Sequence, residues 1–275
     1  MTLASWNDGP ARSAIVEFVE RTVREVPENE RLAVFDNDGT LWVERPAYVQ
    51  ELFLKERLAK RPELMEHGLV EAVLALDAGR TPEEFTGDVE TWFAGAKHPR
   101  FGVGFAQLTY QPMLELLEYV RANGFHVFVV TGGGVEFVRA VGEALYGVAP
   151  NDVIGSAVQV SLERRDGRAV LVRQPAILGS PNEGAPKAVN IQTHIGRRPI
   201  LAVGNSAGDR EMLEYVHAGE RPSLCVVVDH DDEEREYAYA SVSVTDPDAE
   251  PILTTAEHFG WTVVSMQRDW SRVFA

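Results

Sequence analysis

Two aspartates two residues apart, Asp36 and Asp38, sit in the segment Phe35-Asp36-Asn37-Asp38-Gly39-Thr40-Leu41. They directly follow the apolar run Leu32-Ala33-Val34-Phe35. If the backbone stays extended there, side chains two residues apart point to the same side. Repulsion makes a close carboxylate pair costly, and a divalent cation is the plainest way to offset it. Gly39 permits a sharp exit that a β-branched residue would resist. The same residues also suit an exposed turn with an Asx hydrogen bond, so the pair alone leaves both readings open.

Three further stretches carry reactive or ligand-like groups. Thr131-Gly132-Gly133-Gly134 follows the run His126 to Val130. It lacks the G-x-G-x-x-G spacing of a dinucleotide fold. Gly204-Asn205-Ser206-Ala207-Gly208-Asp209 follows Ile200 to Val203, and Lys187 is the only lysine after Lys97.

The elements that must position these groups repeat one pattern. A short β-rich run leads into turn residues and then a helical stretch, as at Leu32, His126 and Ile200; the run Leu224 to Val228 leads into Asp229-His230-Asp231. Repetition of strand, turn and helix predicts an α/β protein, a Rossmann-like parallel sheet flanked by helices. Ligands gather at the carboxyl ends of such strands, where all these polar residues fall. Residues 46–105 break the pattern. Tyr48 to Lys60, Pro62 to Leu76 and Pro82 to Ala96 read as three helices, two of them opened by proline. That predicts an inserted all-α cap at 46–105 on a core made of 1–45 and 106–275. A hairpin is expected from 156–164 and 168–173, joined through Asp166-Gly167.

Taken in order, these motifs resemble those of the haloacid dehalogenase (HAD) superfamily, in its phosphoserine-phosphatase-like branch with a helical cap. The likeness spans residues 35 to 212. It implies the HAD fold and a Mg²⁺-dependent phosphatase. By the same likeness Asp36 is the nucleophile that forms an aspartyl-phosphate, and Asp38 the general acid/base. Thr131, Gly132 and Gly133 would bind phosphate, the glycine N–H groups lying near a helix N-terminus. Lys187 would neutralise phosphate charge and keep Asp36 ionised. The metal would be held by Asp36, Asp38, Asn205 and Asp209. Asn205 departs from the family, which usually has an acid there; its carbonyl oxygen can still serve a hard cation. Asp38 argues against dehalogenation, since the dehalogenases lack a second aspartate. Phosphotransfer or phosphonate cleavage on the same scaffold, and a non-catalytic binding protein, remain as competing functions. A phosphonate enzyme would need a cap lysine, and the cap offers Lys55, Lys60 and Lys97.

Substrate contacts are expected from Trp42, Glu44 and Arg45, which leave the first motif. A basic cluster of Lys97, His98 and Arg100 at the cap's exit reads either as solvated hinge charge or, together with or in place of Arg45, as a contact for an acidic group on the substrate. His194 and His230 read as surface residues, Cys225 as a buried strand residue and the five tryptophans as core. Asp229 to Glu236, six acids and one arginine, reads as a solvated stretch.

The 275 residues carry a formal charge of −16, which repels phosphate backbones and anionic lipids. No nucleic-acid or membrane partner is therefore expected. No run approaches the roughly 18 apolar residues of a transmembrane helix, and the N-terminus does not read as a signal peptide. The expected partner is a small phosphorylated metabolite in the cytoplasm.

Overall fold

The computed structural model describes residues 3–243 and 246–275. Helix α1 (Pro10–Glu25) leads to strand β1 (Leu32–Phe35). Then come α2 (Val49–Leu58), a 3-10 turn at Pro62–His67, α3 (Leu69–Leu76), α4 (Pro82–Gly95), α5 (Gln111–Ala122) and β2 (His126–Gly134). Next are α6 (Val135–Tyr146), β3 (Val153–Ser156), β4 (Val158–Arg165), β5 (Arg168–Ile177) and α7 (Ala185–Ile195). The chain closes with β6 (Leu201–Gly204), α8 (Arg210–His217), β7 (Leu224–Asp229), α9 (Ile252–Phe259), β8 (Thr262–Ser265) and α10 (Met266–Asp269).

Six of these strands form one parallel sheet in the order β3-β2-β1-β6-β7-β8. Strand β1 is central and wholly buried, which is why its sequence is continuously apolar. Alternation sorts its side chains between two cores. Ala33 and Phe35 join one, with Val127, Val129 and Val203; Val34 joins the other, with Val130, Ala202 and Cys225. Burying a side chain such as Phe35 or Val34 fully contributes about 1.5–3 kcal/mol each. After β1 the chain builds outward through β2 and β3, then returns to add β6 on the other side. The order therefore reverses between β1 and β6, and the crevice at their carboxyl ends is where such sheets bind ligands.

Helices α2, α3 and α4 all fall between β1 and β2. The second expected helix is split. Gly68 has φ 107°, outside the helical region, so a 3-10 turn ends there and α3 starts afresh. Helix α4 starts as its sequence suggests. Pro82 follows a capping box in which Thr81 Oγ1 accepts from Glu84 N at 3.2 Å and Glu84 Oε2 accepts from Thr81 N at 2.9 Å.

The β4–β5 hairpin turns at Asp166 and Gly167, both with positive φ, the geometry of a primed two-residue turn. It packs on the helical insertion. Gly79 N donates to Arg173 O at 2.9 Å and Arg173 N to Arg80 O at 2.8 Å. The Arg173 guanidinium lies 4.0 Å from the Phe85 ring centre and pairs with Glu136 of α6. Aromatic rings tie the insertion to the sheet layer, with Phe53 5.5 Å from Phe137 and Trp42 6.0 Å from Phe93. No helix among the described residues is long and apolar enough to cross a membrane.

Candidate active site

The loop after β1 is closed by its own backbone. Asp36 N donates to Val203 O at 2.9 Å, which extends the β1–β6 ladder by one residue. Asn37 O then accepts from Leu41 N at 2.8 Å, and Gly39 N donates to Trp42 O at 2.9 Å. Gly39 sits at φ 73°, and a β-carbon there would stand 2.1 Å from Asn205 Nδ2 and 2.8 Å from Glu44 Cδ. Only glycine lets the loop lie this close to both side chains.

This loop delivers Asp36, which is 5% exposed, to a buried ion triad. Lys187 Nζ, from the first turn of α7, lies 2.5 Å from Asp36 Oδ1 and 2.5 Å from Asp209 Oδ1. The other Asp209 oxygen caps the loop after β6, accepting from Asn205 N and Ser206 N, each at 3.0 Å. Gly204 makes room for it, since a β-carbon would fall 2.6 Å from Asp209 Cγ. One ammonium is thus shared by two carboxylates. Burial and the charge on Asp209 push the Asp36 carboxyl up to about 8, against the pull of Lys187. The two carboxylates in turn hold the Lys187 ammonium above its ordinary pKa despite burial.

Asp38 is half-buried beside Asp36, and Trp42 Nε1 donates to its Oδ1 at 2.9 Å. Burial raises the Asp38 carboxyl above its ordinary range. Glu44, also 5% exposed, is pushed up to about 8 by burial; the charges of Asp38 and Asp36 add to this, and Tyr239 and Arg45 oppose it.

Asp36, Asp38, Glu44 and Lys187 open into one cavity of about 310 Å³. Gly132, Gly133 and Gly134 form another part of its wall. Gln50 of α2 reaches over them, its Oε1 accepting from Gly134 N at 2.7 Å. Thr131 is fully buried behind this segment, where its Oγ1 accepts from Gly133 N at 3.0 Å. Asn205 is buried behind the triad. Its Oδ1 lies 3.2 Å from Thr40 Oγ1, which is 3.3 Å from Asp36 Oδ2. Its amide nitrogen faces Glu44 Oε1 at 3.2 Å and Ser241 Oγ at 3.1 Å.

Asp36 Oδ2 and Asn205 Oδ1 both face the Thr40 hydroxyl, and Asp36 and Asp38 turn carboxyl groups to the cavity. Among the described residues no three His, Cys, Asp or Glu side chains form a complete metal cage. A partial oxygen shell suits Mg²⁺, which keeps waters and takes phosphate oxygens alongside one or two carboxylates. Carboxyls pushed upward by burial and by each other also gain most from a cation. The residues present fit that ion.

The remaining expected contacts lie elsewhere. Trp42 is 1% exposed and serves Asp38 rather than the cavity surface. The Arg45 guanidinium stacks 4.4 Å from the Tyr239 ring centre. Arg100 donates to the Glu233 carbonyl at 2.8 Å and to that of Glu236, and lies over Tyr237. His98 is buried, with Nε2 2.6 Å from Arg45 O. Lys97 is exposed and does not line the cavity. Arg45 and Arg100 thus serve as scaffold, because carbonyls and aromatic faces hold their charges. Lys55 pairs with Glu51 and Lys60 with Glu56 along α2, and neither lysine lines the cavity.

His230, Asp232 and Glu236 correct the expectation of a solvated surface, while Glu233 and Glu234 of the same run are exposed as expected. His230 is 3% exposed, with Nε2 2.8 Å from Gly39 O and Nδ1 3.3 Å from Glu236 Oε2. Asp232 and Glu236 are buried because each has a partner: Arg235 for the first, Tyr110 and the Tyr237 N–H for the second. His194 does lie at the surface, and Cys225 is buried in β7.

Several lining residues had no sequence signal: Tyr48, Gln50, Glu51 and Leu54 near or on α2, then Glu183. Glu51 and Leu54 lie within one turn of a helix face, but nothing in their types marks that face as the inner one.

The comparisons with known proteins bear on the fold. No curated protein matches the chain. A Bordetella pertussis Tohama I protein described as of unknown function is 20% identical, covering 86% of this chain and 98% of its own at a TM-score of 0.47. A phosphoserine phosphohydrolase-like protein from Francisella tularensis subsp. tularensis SCHU S4 is 16% identical, covering 83% and 99% at 0.44. A functionally unknown Anaerococcus prevotii DSM 20548 protein is 14% identical, covering 87% and 95%, and at 0.52 it shares the fold. The model of haloacid dehalogenase-like hydrolases matches residues 33–214, from β1 through the triad to α8, and the chain belongs to that family.

Proposed function

We propose that this hydrolase is a Mg²⁺-dependent phosphatase that cleaves a small phosphomonoester through an aspartyl-phosphate on Asp36. The observation that carries the reading is Lys187 held at 2.5 Å between Asp36 and Asp209, with Asp38 in the same cavity. Asp36 and Asp38 would hold the metal from the cavity, with Asn205 and Asp209 buried behind them. When bound there, Mg²⁺ would neutralise charge on the transferring phosphoryl group.

The chain's own groups supply the rest. Lys187 fixes Asp36 in place and, together with a bound cation, would favour its ionised form against burial, so that the carboxylate, a weak nucleophile, can attack phosphorus in line. The Gly132–Gly134 segment forms the side of the cavity that would receive the phosphoryl oxygens, its Gly133 and Gly134 N–H groups being held by Thr131 Oγ1 and Gln50 Oε1. As the bond from phosphorus to the leaving oxygen breaks, Asp38 gives that oxygen its proton. Burial raises the Asp38 carboxyl above its ordinary range, the direction that favours its acid form. Asp38 then takes a proton from the water that attacks the aspartyl-phosphate. The Asp36–phosphorus bond breaks and inorganic phosphate leaves. Trp42 Nε1–H fixes the Asp38 carboxyl for both transfers.

Residues 46–105 act as the cap, and the β4–β5 hairpin acts with them through Arg173, Gly79 and Arg80. Gln50 and Glu51 bring this layer to the cavity, where it excludes water during transfer. The exposed and paired cap lysines speak against phosphonate chemistry.

The test is turnover of p-nitrophenyl phosphate with Mg²⁺. Asp36→Asn should abolish it and EDTA should suppress it reversibly. Retained turnover in either case refutes the mechanism.

A further inference from the structure

Resting on the phosphatase reading, the rest of the cavity narrows the substrate. Asp36, Asp38, Lys187 and the glycines take up the phosphoryl group. Glu44, Tyr48, Glu51, Leu54 and Glu183 remain to meet the alcohol part. Among the described lining residues Lys187 is the only Lys or Arg, and its ammonium is already shared by two carboxylates. The cations that might have received an acidic substrate face elsewhere: Arg45 on Tyr239, Arg100 on backbone carbonyls. Lys55 pairs with Glu51 at 2.5 Å from the outer side, where its side chain is 63% exposed.

The carboxylates are held in place. Glu44 stands against the Asn205 amide at 3.2 Å. Glu183 Oε1 accepts from Ser243 Oγ at 2.8 Å. Gly208 leaves the room Glu183 needs, since a β-carbon there would meet its Cγ and Oε1 at 2.8 Å. Tyr48 and Leu54 add an aromatic ring and an apolar surface, which favour a weakly hydrated cation over a strongly hydrated anion. A second anionic group on the substrate would meet Glu44 and Glu183 with no Lys or Arg beyond Lys187 among the described lining residues, whereas a cation there favours the ionised form of these carboxyls, a difference that discriminates between the two.

We propose that the alcohol part of the substrate carries a positive charge, as an ammonium or quaternary ammonium group, and that phosphomonoesters bearing a carboxylate in its place are rejected. A cavity of about 310 Å³ holds a compact ester of this class.

The experiment compares kcat/KM of the full chain with Mg²⁺ for choline phosphate, its uncharged isostere 3,3-dimethylbutyl phosphate, and 2-phosphoglycolate. p-Nitrophenyl phosphate reports whether phosphatase activity is present at all. Choline phosphate should exceed its isostere by about tenfold or more, with 2-phosphoglycolate below both. Glu44→Gln and Glu183→Gln should each reduce the choline-to-isostere ratio, a quantity that a general loss of activity leaves alone. A wild-type ratio of one or less, or a preference for 2-phosphoglycolate, overturns the inference while the phosphatase reading stands. If even p-nitrophenyl phosphate is not cleaved, the phosphatase reading fails and takes this inference with it.

Discussion

Asn205→Asp tests whether the loop after β6 is built around a neutral amide. Asn205 is 1% exposed, and its Nδ2 lies 3.2 Å from Glu44 Oε1 and 3.1 Å from Ser241 Oγ. The substitution replaces a donor by an acceptor facing a carboxyl. Were both groups ionised at that separation, their repulsion would be about 5 kcal/mol at an effective dielectric constant near 20. Protonating the new carboxyl is cheaper. Holding it neutral costs about 1.4 kcal/mol per pH unit above its unfolded pKa near 3.9, or about 4 kcal/mol at pH 7. Protonation therefore caps the loss, and metal-free Asn205→Asp should be about 2–4 kcal/mol less stable than wild type at pH 7.

The sign gives a second handle. The new carboxyl has a folded pKa raised above its unfolded value. Its penalty is therefore absent below about pH 4 and grows as pH rises toward the folded pKa. Urea unfolding followed by tryptophan fluorescence at pH 5, 6 and 7 measures it. If Asn205 serves the cation, Mg²⁺ should close part of the gap, because a carboxylate binds it better than an amide does. A deficit under about 1 kcal/mol at pH 7, or one that stays constant from pH 5 to 7, refutes the reasoning.

Three further outcomes follow from the same geometry. Gly39→Ala should cost about 2 kcal/mol or more and suppress turnover, since the new methyl meets Asn205 and Glu44 in a positive-φ loop; unchanged urea midpoint and kcat would contradict this. Lys187→Met should abolish turnover and cost about 3–5 kcal/mol, because Asp36 and Asp209 then face each other uncompensated; a loss below about 1 kcal/mol in chemical unfolding would contradict the triad. Asp36 and Glu44, each pushed up to about 8, destabilise the metal-free fold progressively as pH rises from their unfolded range toward 8. Mg²⁺ should therefore raise Tm more at pH 8 than at pH 5, and equal increments would count against a cation among these carboxyls.

The sheet was legible because its strands obey simple rules. Strand β1 is buried on both faces, so it must be apolar throughout, and the polar residues that follow must lie at the sheet's carboxyl edge. Strand β8 was not anticipated. Thr262–Ser265 is only four residues long, and its place at the sheet edge is set by packing on β7. The hairpin was visible from Asp166-Gly167, but its attachment to the insertion was not. That attachment depends on Arg173, whose partners Arg80, Phe85 and Glu136 are remote in sequence. Glu44 was anticipated at the site, whereas Tyr48 and Glu183 were not. A carboxylate or phenol is an ordinary surface residue until the fold turns it inward.

The largest misreading, the acidic run after β7, shows what the site rests on. Charge density in sequence suggests solvent, but burial depends on whether each charge has a partner. Here Tyr110, Arg235 and backbone N–H groups provide the partners. His230 meets the carbonyl of Gly39, the residue that packs against Asn205 and Glu44. Ser241 meets the Asn205 amide from the same side. The matched family region ends at residue 214, so this back wall lies beyond it. The wall fixes the loop just after the two aspartates, at Gly39, and the Asn205 amide. Departure from the family pattern at Asn205 and burial of the acidic run are thus two parts of one local arrangement. The amide fills a space that Glu44, Ser241 and His230 bound on the inner side, where a second carboxylate would have no partner.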